Sequence, residues 1–309
     1  MDDCKPLRGR RLGIVGKGGS GKSTLTVLLA RALRTRGYEV CVLDADSTNV
    51  GLHQALGLAE PPRGLIDYFG GMVFSGGLVT CPVDDPTPLA GAEVSPARLP
   101  AEYVGSDPDG VSLIVAGKVA GRGPGAGCDG PIAKIARDLR VLGEPEEPVT
   151  LIDYKAGFED AARGVVTSLD WALAVVDPTA AGIQVALHLK DLVERLKAEE
   201  PPATSHLGSP ELVALARRIF KEASIRDVLV VLNRFPDRET EAFVTPRLAD
   251  AGIVPVGVVH EHPELARSSL LGAPLDWTVA RDEALGIVER LEAIRRPEST
   301  SRRSTHLWG

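Results

Sequence analysis

Runs of apolar residues alternate along this chain with longer stretches in which apolar residues recur every three or four positions. Seven runs read as strands: "RLGIV" (11–15), "EVCVLD" (39–44), "VSLIVAG" (111–117), "VTLID" (149–153), "WALAVVD" (171–177), "DVLVVLN" (227–233) and "VPVGVV" (254–259). They are nearly continuous in hydrophobicity, the pattern of strands covered on both faces of a parallel sheet. The intervening stretches predict helices over 22–36, 129–142, 158–168, 181–198, 210–223, 239–251 and 278–296. Strands alternating with helices predict an α/β fold, a doubly wound and mostly parallel sheet with helices on both faces. A single domain is expected over 1–294. Within it, 70–110 is rich in Gly, Pro and Asp and reads as an irregular insertion of loops and a short hairpin. Residues 199–224 read as an extra loop and helix, and 295–309 as a basic, polar, disordered tail.

The chemistry enters at the first strand–helix junction. Gly16-Lys17-Gly18-Gly19-Ser20-Gly21-Lys22-Ser23 fits GxxxxGK[ST], the phosphate loop of P-loop NTPases. Glycines let backbone N–H groups turn inward onto phosphate oxygens, and the helix that follows aims its positive end at the same anion. Lys22 is the cation for the β/γ-phosphates, Ser23 the hydroxyl for Mg²⁺, and Thr24 a candidate for the α-phosphate. ATP/ADP and Mg²⁺ are the expected cofactors. Asp44-Ala45-Asp46 and Asp153 lie at strand ends, where an α/β sheet places its chemistry. The first pair could hold the Mg²⁺ shell and orient water, with Asn49 fixing that loop. Asp153 could bind Mg²⁺ through a water. Ala156-Gly157 would then form a flexible switch. Lys155 is either a phosphate or partner contact or a solvated lysine.

With Lys17, "GKGGSGKST" resembles the deviant Walker A motif of the Min/Par/nitrogenase-iron-protein class of P-loop ATPases. The resemblance implies a homodimer around two ATP molecules, with Lys17 reaching across to the partner's nucleotide. Such a cation stabilises charge on the transferring phosphoryl group. The resemblance also makes Asp46 the water-positioning residue. It places Asn233, at the end of "VLVVLNRF", on the adenine, and it aligns 254–275, with Glu261, to the class's adenine loop. Asn233-Arg234-Phe235-Pro236 is not the NKxD of guanine readers. His260 and His262 flank Glu261, but neighbouring loop residues rarely converge on one metal ion.

"VLDADSTNVGLHQALGL", "IDYKAGFED", "VVDPTAAGIQVALHLKDLVERL" and "AGKVAGRGPGAGCDGPIAKIARDL" are similar to the carbon monoxide dehydrogenase maturation ATPases, the nickel-insertion accessory proteins. In that family a Cys-x-Cys from each subunit meets at the dimer interface and binds a metal ion. This chain keeps Cys128 but has Gly130 at the second position. Two thiolates, one per subunit, cannot close a four-sulfur site. Cys128 is therefore either an interface ligand for Ni, Zn or Fe or a small helix-start residue. Cys81 is a weak candidate for a second thiol, and Cys41 reads as core. The resemblance implies an ATP-driven dimeric switch that assembles, metallates or activates a client metalloenzyme.

Two other outputs stay open. One is a partitioning or positioning ATPase binding DNA or a protein scaffold; Arg217, Arg218 and Lys221 form a basic cluster for that reading. The other is an ATP-gated electron donor with a shared Fe–S cluster. Composition narrows the field. The 309 residues carry a net charge of −7, which argues against broad nucleic-acid binding. No apolar run has the length of a membrane span and the N-terminus has no signal-peptide core, so a cytoplasmic protein is expected. The four cysteines are dispersed, without CxxC or CxC, and predict no disulfide framework.

Overall fold

The computed structural model describes residues 5–119 and 128–294. Cys4, the 295–309 tail and the glycine-rich stretch 120–127 lie outside the described residues. Seven parallel strands form the sheet: β1 (Arg11–Gly16), β2 (Val40–Ala45), β3 (Val111–Val115), β4 (Val149–Tyr154), β5 (Trp171–Val176), β6 (Asp227–Phe235) and β7 (Pro255–His260). Their order is β7-β6-β5-β1-β4-β2-β3, with the two-residue strand Gly105–Ser106 pairing antiparallel at the β3 edge. This last pair is a hairpin that closes on β3, beyond the 70–110 stretch read as holding one, and Asp107-Pro108-Asp109-Gly110 turns it. The Asp107 carboxylate accepts the Asp109 and Val111 N–H groups there.

The long helices are α1 (Lys22–Thr35), α2 (Gly130–Asp138), α3 (Ala180–Lys197), α4 (Pro210–Lys221), α5 (Arg238–Asp250), α6 (Pro263–Leu271) and α7 (Arg281–Ala293). Alternation within each strand builds two cores. Leu12, Ile14, Val40 and Val42 face Leu25, Leu28, Leu29, Ile287 and Leu291 of α1 and α7. Their neighbours Val15, Cys41 and Leu43 point the other way, toward Ile132, Ile135, Ala186 and Leu189 of α2 and α3. Cys41 is core, as the sequence predicted.

Three helix boundaries differ from the sequence reading, and one helix is new. The 129–142 helix stops at Asp138 because Arg140–Val141 pairs in parallel with Glu93–Val94 of the insertion. The 158–168 stretch breaks at Gly164, whose φ of +82° separates a single turn at Glu159–Ala162 from a 3₁₀ turn at Val165–Ser168. The last helix starts at Arg281, after a 3₁₀ turn at Trp277–Ala280. Helix α6 was not anticipated, although Pro263 at its first turn and Gly272 in the left-handed conformation after its end are start and stop signals.

A buried arginine closes the far end of the sheet. Arg11 donates to the carbonyls of Ala136, Leu139 and Ser168, ending α2 without exposed acceptors. Burial lowers its pKa to about 9, so it remains cationic at neutral pH. Arg11→Leu removes the donor that Ala136 O and Ser168 O share, while Leu139 O keeps Arg140 Nη1 at 3.1 Å. The expected cost is about 3 kcal/mol, read from urea unfolding followed by circular dichroism.

Candidate nucleotide site

All seven strands run parallel, but the order in which they are added changes side about β1: β4, β2 and β3 lie on one side and β5, β6 and β7 on the other. The crevice at the carboxyl end of such a strand is where open α/β sheets bind ligands. The glycine-rich loop leaves β1 there and runs into α1. Helix α1 starts at Gly21 (φ +86°) with no side-chain cap and no acidic residue in its first turn, so its first N–H groups face the loop. Gly21 cannot be replaced, because a Cβ there would stand 2.2 Å from Asn233 Nδ2. Gly19 (φ +77°) needs the same freedom, while Gly16 is crowded by Val175 O and Ser20 Oγ. Lys22 is buried, and its Nζ reaches back to Lys17 O at 3.5 Å.

The carboxylates gather on the β4/β2 side. Asp44 and Asp153 are register partners on adjacent strands and are nearly fully buried. Ser23 Oγ donates to Asp153 Oδ2 at 2.6 Å and accepts from Asn49 Nδ2 at 2.7 Å, which joins α1, β4 and the loop after β2. Burial, then the charge of Asp44, pushes Asp153 up to about 7. Burial also raises Asp44 to about 6, against the pull of Lys118. Asp153 Oδ1 and Ser20 Oγ are buried without a partner. Clustered carboxylates with an unpartnered oxygen beside a hydroxyl are an oxygen-rich set that fits a hard divalent cation such as Mg²⁺.

Asp46 holds its own loop. Its Oδ1 accepts from Thr48 N, Thr48 Oγ1 and Asn49 N at 2.9, 2.7 and 3.2 Å. Lys118, absent from the sequence reading, donates to Asp44 Oδ2 at 2.7 Å and to Asp46 O at 2.6 Å. A lysine three residues past a sheet strand that ends at this crevice was the available signal. Gly157 N donates to Gly16 O at 3.0 Å, so the segment after β4 docks on the phosphate loop.

Lys17 turns to the other side of β1. Its Nζ lies 2.8 Å from Asp177 Oδ2, just past the end of β5, and 3.4 Å from Gly18 O. Asp177 also escaped the sequence reading, although "WALAVVD" ends a strand beside β1. Asn233 lies beneath the loop, where its Nδ2 donates to Ser20 O at 2.7 Å. Thr24 is on the first turn of α1. Glu261 is exposed on the loop after β7, and its N–H donates to Phe235 O. The flanking His260 Nδ1 and His262 Nε2 both contact Glu283, at 2.6 and 3.0 Å.

Lys155 has a partner that sequence could not name. Its Nζ donates to Asp129 Oδ2 at 2.6 Å, and Arg163 lies 3.1 Å from Asp129 Oδ1. Burial pushes the Asp129 carboxyl up, but these cations outweigh it and hold the group below the usual carboxylate range. Asp129 follows Cys128, so the segment after β4 is tied to the cysteine. Cys128 is exposed at the start of α2, and Gly130 packs against half-buried Cys81 from the insertion. A Cβ at 130 would meet Cys81 Sγ at 2.7 Å, so a second cysteine of a Cys-x-Cys has no room while Cys81 occupies that space. Among the described residues no three His, Cys, Asp or Glu side chains are arranged to hold a metal ion.

A phosphate loop at the reversal point of a doubly wound sheet, with buried acids at neighbouring strand ends, defines a P-loop nucleotide-binding protein. Residues 14–275 match the family model described as the CobQ/CobB/MinD/ParA nucleotide binding domain, and the chain belongs to that family. It is an ATPase of that family. An uncharacterized ATP-binding protein of Methanocaldococcus jannaschii is 34% identical over 188 residues, 60% of this chain and 74% of its own length. The carbon monoxide dehydrogenase accessory protein CooC of Rhodospirillum rubrum is 29% identical over 203 residues, 60% of this chain and 70% of its own. The structure of the MinC:MinD cell division protein complex of Aquifex aeolicus superposes with a TM-score of 0.56 at 18% identity, covering 94% of this chain and 98% of that one. The septum site-determining protein MinD of Pyrococcus horikoshii, solved with Mg-ADP, gives 0.52 at 18% identity over 91% and 95%. These structural likenesses carry the fold. No helix among the described residues is long and apolar enough to cross a membrane.

Proposed function

We propose that this ATPase is a dimeric switch that assembles or activates a client metalloenzyme. The observation that carries the reading is the Lys155–Asp129 ion pair, which links the segment following Asp153 to the residue beside Cys128. A change at the nucleotide is thereby coupled to the cysteine-bearing loop. Similarity to CooC, an accessory protein of carbon monoxide dehydrogenase by name, supports a metalloenzyme as the client.

In this reading Lys22 and the open N–H groups of α1 bind the phosphates. Ser23, Asp44 and Asp153 would hold Mg²⁺, which, when bound, neutralises charge on the transferring phosphoryl group. Asp46 orients water once nucleotide rearranges the Asp46–Asn49 turn. Lys17 leaves Asp177 and crosses to the partner's nucleotide. Asn233 sets the backbone of the phosphate loop through Ser20 O and contributes to the adenine edge along with the Glu261 loop. Hydrolysis releases Gly157 from Gly16, the Lys155–Asp129 tie moves, and the dimer opens.

Metal content tests the output. The protein is purified without oxygen, offered nickel, zinc or iron with a nonhydrolysable ATP analogue, and analysed by mass spectrometry beside Cys128→Ala. About one metal per dimer, lost in the variant, is the expected result for a switch that carries the metal itself. No metal in either sample removes metal carriage and restricts the output to conformational work on the client. About four irons would point instead to electron transfer.

A further inference from the structure

The insertion at 70–110 and the start of α2 bring two thiols to one place. Cys81 packs on Gly130 from one side, and a Cβ there would be 2.7 Å from its Sγ. The Gly130 N–H also donates to Cys128 Sγ at 3.4 Å. One residue without a side chain thus separates the two sulfurs. Both are free thiols: Cys128 exposed, Cys81 half-buried. Burial pushes the Cys81 thiol up, which leaves it protonated and slow to react alone.

Ion pairs tie the peptide that carries Cys128 to the segment after β4. Arg163 and Lys155 both pair with Asp129, the residue between Cys128 and Gly130. No third ligand stands by, because Asp129 is already occupied by Lys155 and Arg163.

We propose that Cys81 and Cys128 form a dithiol site that low-molecular-weight disulfides oxidise to an intrachain disulfide. The exposed Cys128 thiolate attacks one sulfur of the small disulfide and expels one small thiolate. Cys81 then attacks Cys128 Sγ in the mixed disulfide, giving its proton to solvent, and expels the second small thiolate. One small disulfide is reduced to two thiols while the two protein thiols become one disulfide. The bond ties the insertion to the start of α2, beside the carboxylate that Lys155 grips. Oxidation therefore reaches the nucleotide switch through Asp129. This inference stands on the paired thiols alone and is independent of the client reading.

The test uses full-length, nucleotide-free Cys4→Ser protein in chelator, exposed to oxidised glutathione. The four cysteines less Cys4 leave three thiols. Thiol titration should fall from three to one, the survivor being Cys41. Peptide mass spectrometry should find Cys81 linked to Cys128 with no glutathione retained. With Cys81→Ser, or Cys81→Ala if the serine variant fails to fold, Cys128 should keep a stable glutathione adduct. With Cys128→Ser, reaction at Cys81 should slow by at least about tenfold. Glutathione retained on Cys128 while Cys81 stays free in the parent protein would overturn the proposal, as would a disulfide joining two chains.

Discussion

Lys17→Ala should leave nucleotide binding nearly unchanged and abolish ATP-induced dimerisation, with hydrolysis falling about 10³-fold, the worth of a cation delivered to the transferring phosphoryl group. Light scattering with a nonhydrolysable analogue reads the first effect and phosphate release the second. The reason is where Lys17 lies in the single chain. Its ammonium is held by Asp177 on the β5 side of the loop, while Ser23, Asp44 and Asp153 gather on the β4 side. Lys22, buried in the loop, is the cation that remains for the chain's own phosphates. In the proposed dimeric switch the Lys17–Asp177 pair would be a latch on the monomer. Asp177→Asn is the companion variant: it should lower the protein concentration needed for ATP-induced dimers by about fivefold, the weight of a partly exposed ion pair. Unchanged dimers in Lys17→Ala would refute the trans role of this lysine.

Asp153→Asn should stabilise the nucleotide-free protein at pH 8 while eliminating Mg²⁺-dependent hydrolysis. Asp153 is pushed up to about 7 by burial and by the neighbouring Asp44 charge, well above its unfolded value near 3.8. Asp44 is raised to about 6. Between these folded and unfolded values the native state binds more protons than the unfolded one. Nucleotide-free stability from these groups is therefore greatest below about pH 4, declines as pH rises from there through 6 to 7, and levels off above that. An amide cannot ionise, so the variant should lose most of this decline and gain on the order of 2 kcal/mol at pH 8. Thermal melts of both proteins from pH 5.5 to 8, in chelator, measure it. A divalent cation must displace the protons, so magnesium should stabilise the parent more at pH 8 than at pH 6, and the variant at neither. A variant that melts lower than the parent at pH 8 would show that Asp153 is not strained by its neighbours.

The features legible in the sequence are those fixed by local pattern. Continuous apolar strands gave the doubly wound sheet, since a strand buried on both faces has no polar side to show. The phosphate loop was legible because its chemistry depends on consecutive residues: glycines that turn backbone amides inward, a lysine and a hydroxyl on the first turn of a helix. Asp44, Asp46 and Asp153 could be placed at the crevice because strand ends at the carboxyl edge open onto it. Helix ends were less so. Arg140 ends the α2 region as strand only because Glu93, far away in sequence, pairs with it.

Tertiary structure alone decided the partners. Lys17 with Asp177, Lys118 with Asp44, Lys155 with Asp129, and Cys81 with Cys128 across Gly130 are each brought together by sheet order or by the path of the insertion. A lone lysine in the sequence looks the same whether it is solvated or locked to a buried acid. The chain's own sequence thus determined that this protein is a P-loop ATPase and where its phosphate loop lies, because those are short-range facts. Which acid each lysine pairs with, and which thiol lies beside Cys128, was decided by contacts between distant segments, which only the packed fold creates.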